Sequence, residues 1–301
     1  MNSTFDVVGI GENSVDFVYR LPGPPAPNAK LPVSALRVSC GGQVATTLST
    51  CAALGLRAAY VGTFGNDDNG GRIREALTRR RVDITHALVR EAPNRYAVIL
   101  VDERTGDRTV VWERDPRLTL NASDLPRDVV TDTRVLHVDD VDVGASLATA
   151  RLAAEAGIPV TCDVDRVTGE TAALVASVTV PILAEHVPAA LTGEDDIPRA
   201  LRALRRDHHT MIVVTLGTQG AMLLEGDVVH HVPAFEVDAV DTTGAGDVFR
   251  GAFIYAMLRG DGPLELLRFA SAAAAVSCTR EGAMDGVPTL GEVERVLTMR
   301  N

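Results

Sequence analysis

Short runs of β-branched residues alternate with amphipathic stretches along most of this 301-residue chain, and few folds accommodate that alternation. Apolar runs at 7–10 and 58–61 flank a helical pattern over 43–54 closed by Gly55, and a second pattern follows at 70–80. The alternation returns at 135–138, 145–156 closed by Gly157, 158–162, 197–206 and 211–215. Strands separated by helices of this length call for right-handed crossovers and a mostly parallel sheet covered on both faces. The last third is helical by spacing over 244–258, 263–278 and 289–300, the final stretch opened by a Thr289-x-x-Glu292 capping box.

Two segments interrupt the pattern. Residues 16–38 are rich in proline, while 96–102 and 109–114 are strand-like runs joined by Glu103-Arg-Thr-Gly-Asp107, a hairpin signal. Together, about 16–38 and 95–118 predict a small β-sheet projecting from the α/β body. No internal repeat, low-complexity tract or long linker divides the chain, so 1–301 is expected to be a single α/β domain. Its 46% hydrophobic content is ample for a sizeable core.

A formal charge of −11 argues against nucleic-acid or anionic-membrane partners, which favour a basic face. It also means that any nucleotide phosphate needs local amides and cations. Cys40, Cys51, Cys162 and Cys278 lack C-x-x-C spacing, which suggests reduced thiols rather than disulfides or a zinc site. No apolar run approaches ~20 residues, and strand-like residues follow almost directly on the N-terminus, so a cytoplasmic location is expected.

The most informative stretch for function is 239–253, Ala-Val-Asp241-Thr-Thr243-Gly244-Ala245-Gly246-Asp247-Val-Phe-Arg-Gly-Ala-Phe. An acid, two hydroxyls and a Gly-Ala-Gly turn lead straight into an apolar helix, so unpaired N–H groups converge where an anion can bind. Asp247 lies inside that nest. A carboxylate there makes sense if a neutral hydroxyl must be polarised while a phosphoryl group moves onto it. A plain capped helix start is the bland alternative for so short a motif.

The full Asp-Thr-Thr-Gly-Ala-Gly-Asp string closely resembles the C-terminal signature of the ribokinase-like carbohydrate kinases, also called the phosphofructokinase B type. That resemblance implies a three-layer α/β sandwich with a mostly parallel central sheet and a small β lid that covers the sugar and commonly joins two subunits. It implies an ATP- and Mg²⁺-dependent kinase in which Asp247 is the base and 244–246 form the anion hole. In Gly9-Ile-Gly11-Glu-Asn-Ser-Val-Asp16, Asp16 takes the family's sugar-binding place, because a carboxylate accepts two hydroxyl donors at once. Gly41-Gly42-Gln43 matches a loop lying against the sugar, and Thr46 stands where many members carry a sugar-binding Asn. Asp140, from the Asp139-Asp140-x-Asp142 cluster, matches an acidic sugar contact, although a solvated acidic loop is the plainer account.

On the nucleotide side the resemblance points to Thr215, Gly217 and Gly220 beneath the ATP, and to Ser271 near the base. Glu185 matches the acid that organises Mg²⁺ through waters, but Ile182 replaces the Asn that usually precedes it. Asp241 and Thr243, facing a loop over 279–286, match a monovalent-cation site and imply activation by K⁺. The adjacent pairs His208-His209 and His230-His231 share no face and suggest no metal chemistry, while Trp112 reads as packing within the lid. The expected function is phosphorylation of a primary hydroxyl on a small free sugar by a homodimer closed through its lid. A nucleoside kinase on the same scaffold and a catalytically silent sensor are the alternatives.

Overall fold

The computed structural model describes residues 3–105 and 108–298. Gly106 and Asp107 of the expected hairpin turn, and residues 299–300 of the expected last helix, lie outside the described residues.

Nine strands form the central sheet in the order Val228–Val232, Ala221–Glu225, Ile212–Thr215, Val180–Ala184, Val160–Val164, Thr133–Asp139, Phe5–Ile10, Ala58–Val61 and Val82–Asp83. The seven from Ile212–Thr215 to Val82–Asp83 are parallel, and the remaining two close one edge as an antiparallel hairpin. Central strands such as Val160–Val164 are buried throughout, as expected when helices cover both faces. Val8 and Ile10 pack into one core with Leu136 and Leu183, while Val7 faces the opposite core with Val44, Leu48 and Tyr60. The sheet is therefore the middle of three layers.

Most expected elements are present. Helices run over Gln43–Ala53, Asp68–Arg79, Val143–Ala156, Ile197–Leu204, Ala245–Arg259, Pro263–Cys278 and Leu290–Thr298. The strand expected at 158–162 begins two residues later, at Val160, because Gly157 turns left-handed at φ 68° and Pro159 has no N–H to donate. The expected lid is also there. Strands Ala35–Gly41, Ser14–Leu21, Tyr96–Asp102 and Arg108–Glu113 make a separate four-stranded sheet in that order, with an antiparallel hairpin pairing Val98 with Val111. Its outer strand Arg108–Glu113 is exposed along its whole length. All four cysteines are free, Cys51 and Cys162 being buried, and no described helix is long and apolar enough to cross a membrane.

Candidate active site

Two helix starts converge at the carboxyl ends of the parallel strands. Helix Ala245–Arg259 begins after Gly244, whose φ of 77° is left-handed, and no side chain caps it. A Cβ at Gly244 would lie 2.6 Å from the Ala283 Cβ, so only glycine lets this turn pass so close to the 279–286 loop. Helix Gln43–Ala53 begins after Gly42 at φ 100°, also without a side-chain cap, and a Cβ at Gly42 would meet the Asn13 backbone at 2.5 Å. The two helices are tied together where the Thr47 hydroxyl donates to the Asp247 carbonyl at 3.1 Å.

Asp247, in the first turn of its helix, is half-buried. Its carboxyl sits well above the usual carboxylate range, first through loss of solvation, then through the negative charge of Asp163, with Arg250 opposing both. The dipole at this helix start favours the ionised carboxylate. Burial beside a second carboxylate outweighs that dipole, which contributes only ~0.3–1 kcal/mol at most exposed helix ends.

Asp163 comes from the buried strand Val160–Val164, and its Oδ1 lies 2.7 Å from Nη2 of Arg250, both side chains being almost wholly buried. Arg250 stands on the same helix as Asp247, one turn later, and a Cβ on Gly246 would fall 2.7 Å from its Nη1. Removing either partner alone would leave the other charge buried, which costs about 3–5 kcal/mol. Both residues escaped the sequence reading. The available signal was a lone acid in the apolar run Val160-Thr-Cys-Asp-Val164 and an arginine in an otherwise apolar helix turn.

Asp16, on the inner lid strand, is 7% exposed and accepts a hydrogen bond from the Ser14 hydroxyl at 2.7 Å. Burial raises its proton affinity, and its negative charge acts on Asp247, so the two expected acids lie within electrostatic reach of one another. Gly41 lies directly against Asp16, since a Cβ there would come 2.9 Å from its Oδ2. Gln43 opens the neighbouring helix. Thr46, by contrast, is fully buried with its hydroxyl unpartnered, so it presents no hydroxyl to the cleft.

Asp140 differs from expectation. Its Oδ2 accepts from the backbone N–H groups of Asp165 and Arg166 at 2.8 and 2.6 Å, and its Oδ1 from the Arg166 Nε and Nη2 at 3.1 and 3.0 Å. Four donors leave this carboxylate anchoring 165–166 rather than open to a sugar, and they hold the Arg166 guanidinium beside it. The solvated-loop account fails as well: Asp139 is fully buried, accepting from the Glu12 and Val141 N–H groups, and its carboxyl is pushed up by that burial. Asp142 pairs with Arg114 at 2.7 Å. Arg95, paired with Glu12 at 2.8 Å and 5.8 Å below the Trp112 ring, completes a charged wall that was not anticipated.

The residues expected at the nucleotide lie on separate elements. Thr215 ends its strand, and Gly217 and Gly220 bracket a short turn at φ 53° and 93°. A Cβ on Gly220 would meet the Val232 carbonyl at 2.0 Å, so the close backbone approach there requires glycine. Ser271 is 7% exposed on helix Pro263–Cys278, its hydroxyl without a partner. Glu185 is exposed at the carboxyl end of Val180–Ala184, while Ile182, in the place of the usual Asn, is fully buried in the core. Asp241 binds the N–H groups of Thr243 and Gly282 through its two oxygens, each at 2.9 Å. Burial works against its charge, but these bonds and Arg108 prevail and hold its carboxyl below the usual range. Arg108 of the lid reaches the Thr243 hydroxyl at 2.9 Å, so the lid touches the signature loop.

The pfkB family carbohydrate kinase model matches residues 4–290. A fructokinase-1 of Oryza sativa subsp. japonica is 29% identical over 97% of this chain and 97% of its own length. A nucleoside kinase of Methanothermobacter thermautotrophicus is 26% identical over 99% and 97%. The solved ribokinase of Thermotoga maritima superposes with a TM-score of 0.85 at 25% identity, covering 98% of this chain and 99% of that one. With its three layers, projecting sheet and glycine-opened anion nest, the chain belongs to the pfkB family of carbohydrate kinases and is an ATP-dependent kinase.

Proposed function

We propose that this kinase transfers the γ-phosphoryl group of ATP to a primary hydroxyl of a small free sugar, a pentose or ketose. The observation that carries this reading is the joining of two helix starts without side-chain caps, through the Thr47 hydroxyl and the Asp247 carbonyl, with Asp16 against Gly41 beside one and Asp247 in the first turn of the other. Asp16, backed by the 41–43 loop, holds acceptor hydroxyls. Asp247 takes the proton of the reacting hydroxyl, and the N–H groups of 244–246 hold the phosphoryl oxygens, which suits a loose transition state with dispersed charge. Thr215, Gly217, Gly220 and Ser271 border the nucleotide, and Asp140 shapes the acceptor wall through Arg166.

Mg²⁺ keeps most of its waters and binds phosphate oxygens, so one exposed carboxylate, Glu185, is a sufficient protein contribution although Ile182 brings none. When bound, the ion neutralises triphosphate charge. Asp241, held ionised beside the Gly282 N–H, fits a monovalent cation coordinated mainly by backbone carbonyls. K⁺ should then activate more than Na⁺; equal rates in K⁺, Na⁺ and a bulky organic cation would remove the site. On the lid, Val110, Val111 and Trp112 are 48%, 59% and 54% exposed, an apolar edge suited to a second copy of the chain. A monomer in sedimentation at micromolar concentration would refute a dimer.

A nucleoside acceptor is the second reading, favoured by the exposed Trp112 ring as a stacking surface. ADP release measured across pentoses, ketoses, hexoses and nucleosides decides between them. Turnover is expected on a small free sugar, and turnover on nucleosides alone would replace that reading.

A further inference from the structure

Behind the anion nest lie groups that the reaction as described above does not use. The Asp163 oxygens accept no aligned protein hydrogen bond, although Arg250 Nη2 is 2.7 Å from Oδ1. Asp247 stands three residues before Arg250 on the same helix, which puts its carboxyl on the side of Asp163, and the two acids act on each other's charge. A buried carboxylate in that position is satisfied by a proton carried on its neighbour, as in other closely spaced acid pairs. Arg250 meanwhile fills the space under Gly246, in the middle of the nest.

We propose that Asp163 and Arg250 are positioning residues of the phosphoryl-transfer centre, a buried ion pair that seats the Asp247 carboxyl and decides when it is free to accept a proton. Before each turnover the Asp163–Asp247 pair releases the proton it shares to solvent through the half-buried Asp247. The acceptor hydroxyl then passes its proton to Asp247 as its oxygen bonds to the γ-phosphorus and the bond to the departing ADP breaks. Asp163 pushes the shared proton affinity up and Arg250 pulls it down, consistent with the direction of the shifts at both acids. Other charges facing these groups are Asp16 from the lid strand, Asp140 and Asp165 at the neighbouring strand ends, and His137 from Thr133–Asp139, which burial and Arg250 keep neutral. Helix Gln43–Ala53 brings the neutral Thr47, Thr50 and Cys51 side chains against helix Ala245–Arg259.

The inference rests on Asp247 being the base, so its test includes Asp247→Asn. The measurement is ADP release from Mg·ATP against pH, with the fastest sugar of the substrate panel, for wild type, Asp163→Asn and the double variant Asp163→Asn/Arg250→Met, with ADP binding by calorimetry alongside. Asp163→Asn should move the acidic limb of kcat/KM down by about one pH unit or more, with the Kd for ADP changed less than about threefold. The double variant removes both charges together, and it should fold yet keep a kcat at least about tenfold below wild type. A uniform loss of rate with an unmoved limb in Asp163→Asn, or full kcat in the double variant, overturns the proposal. Should Asp163→Asn not fold, the double variant alone decides. If Asp247→Asn is crippled and the limb stays fixed, only this inference fails; if Asp247→Asn is near wild type, the base assignment fails first.

Discussion

Helices Asp68–Arg79 and Ile197–Leu204 begin after Asp67 and Asp196, whose carboxylates accept the N–H groups of Gly70 and Arg199. Helices Gln43–Ala53 and Ala245–Arg259 begin after Gly42 and Gly244, with no side-chain cap at all. At the first two ends an aspartate closes the helix. At the other two, glycine gives up a few tenths of a kilocalorie of capping and leaves the first N–H groups without a side-chain partner. The two open ends differ from each other as well. The first turn after Gly42 holds no acid, whereas the first turn after Gly244 holds Asp247. The function proposed above divides between these ends, with the acceptor loop at one and the anion nest and base at the other.

That contrast yields graded tests. The largest effect belongs to Asp247→Asn, which keeps shape but removes the proton acceptor: kcat should fall by ~10²–10⁴ with ADP binding largely retained. Near wild-type kcat would make this helix start no different from the capped ones. Next comes Gly244→Ala, which forces a left-handed φ on alanine and drives its Cβ into Ala283. Its kcat should drop about 10²-fold as the nest opens, and an unchanged rate would remove the nest from the mechanism. Gly42→Ala, pressed against Asn13, should instead raise KM for the acceptor by about tenfold and leave KM for ATP nearly alone. A reversed pattern would exchange the roles of the two ends. Smallest of all, Asp67→Ala, which removes both the cap at Gly70 and the bond from the Asn94 N–H, should cost about 1–2 kcal/mol of unfolding free energy in urea and leave kcat nearly untouched. A loss of activity without a loss of stability would undo the distinction.

Much of this was legible in one dimension. The strand and helix alternation emerged nearly residue for residue at Pro263–Cys278 and Ile212–Thr215, because hydrophobic period reports directly on local backbone geometry and on which face is buried. The lid hairpin was readable from two β-branched runs and a turn signal for the same reason. Where boundaries slipped, as at Val160, a proline and a left-handed glycine had displaced the periodic signal.

Site residues divide differently. The sequence by itself determined the glycine-opened helix start, since three small residues before an apolar helix dictate their own backbone path. It also determined that Asp247 stands in the first turn of that helix. Only the tertiary structure decided that Asp163 and Arg250 stand behind it, that Asp247 is hard to ionise, and that Asp140 is spent on Arg166 while Thr46 is sealed from the cleft. Solvation and Coulomb interactions depend on what lies within a few ångströms in space, and those neighbours come from strands and helices far apart along the chain. Periodicity tells which face is buried; it does not tell which charge will be buried beside which.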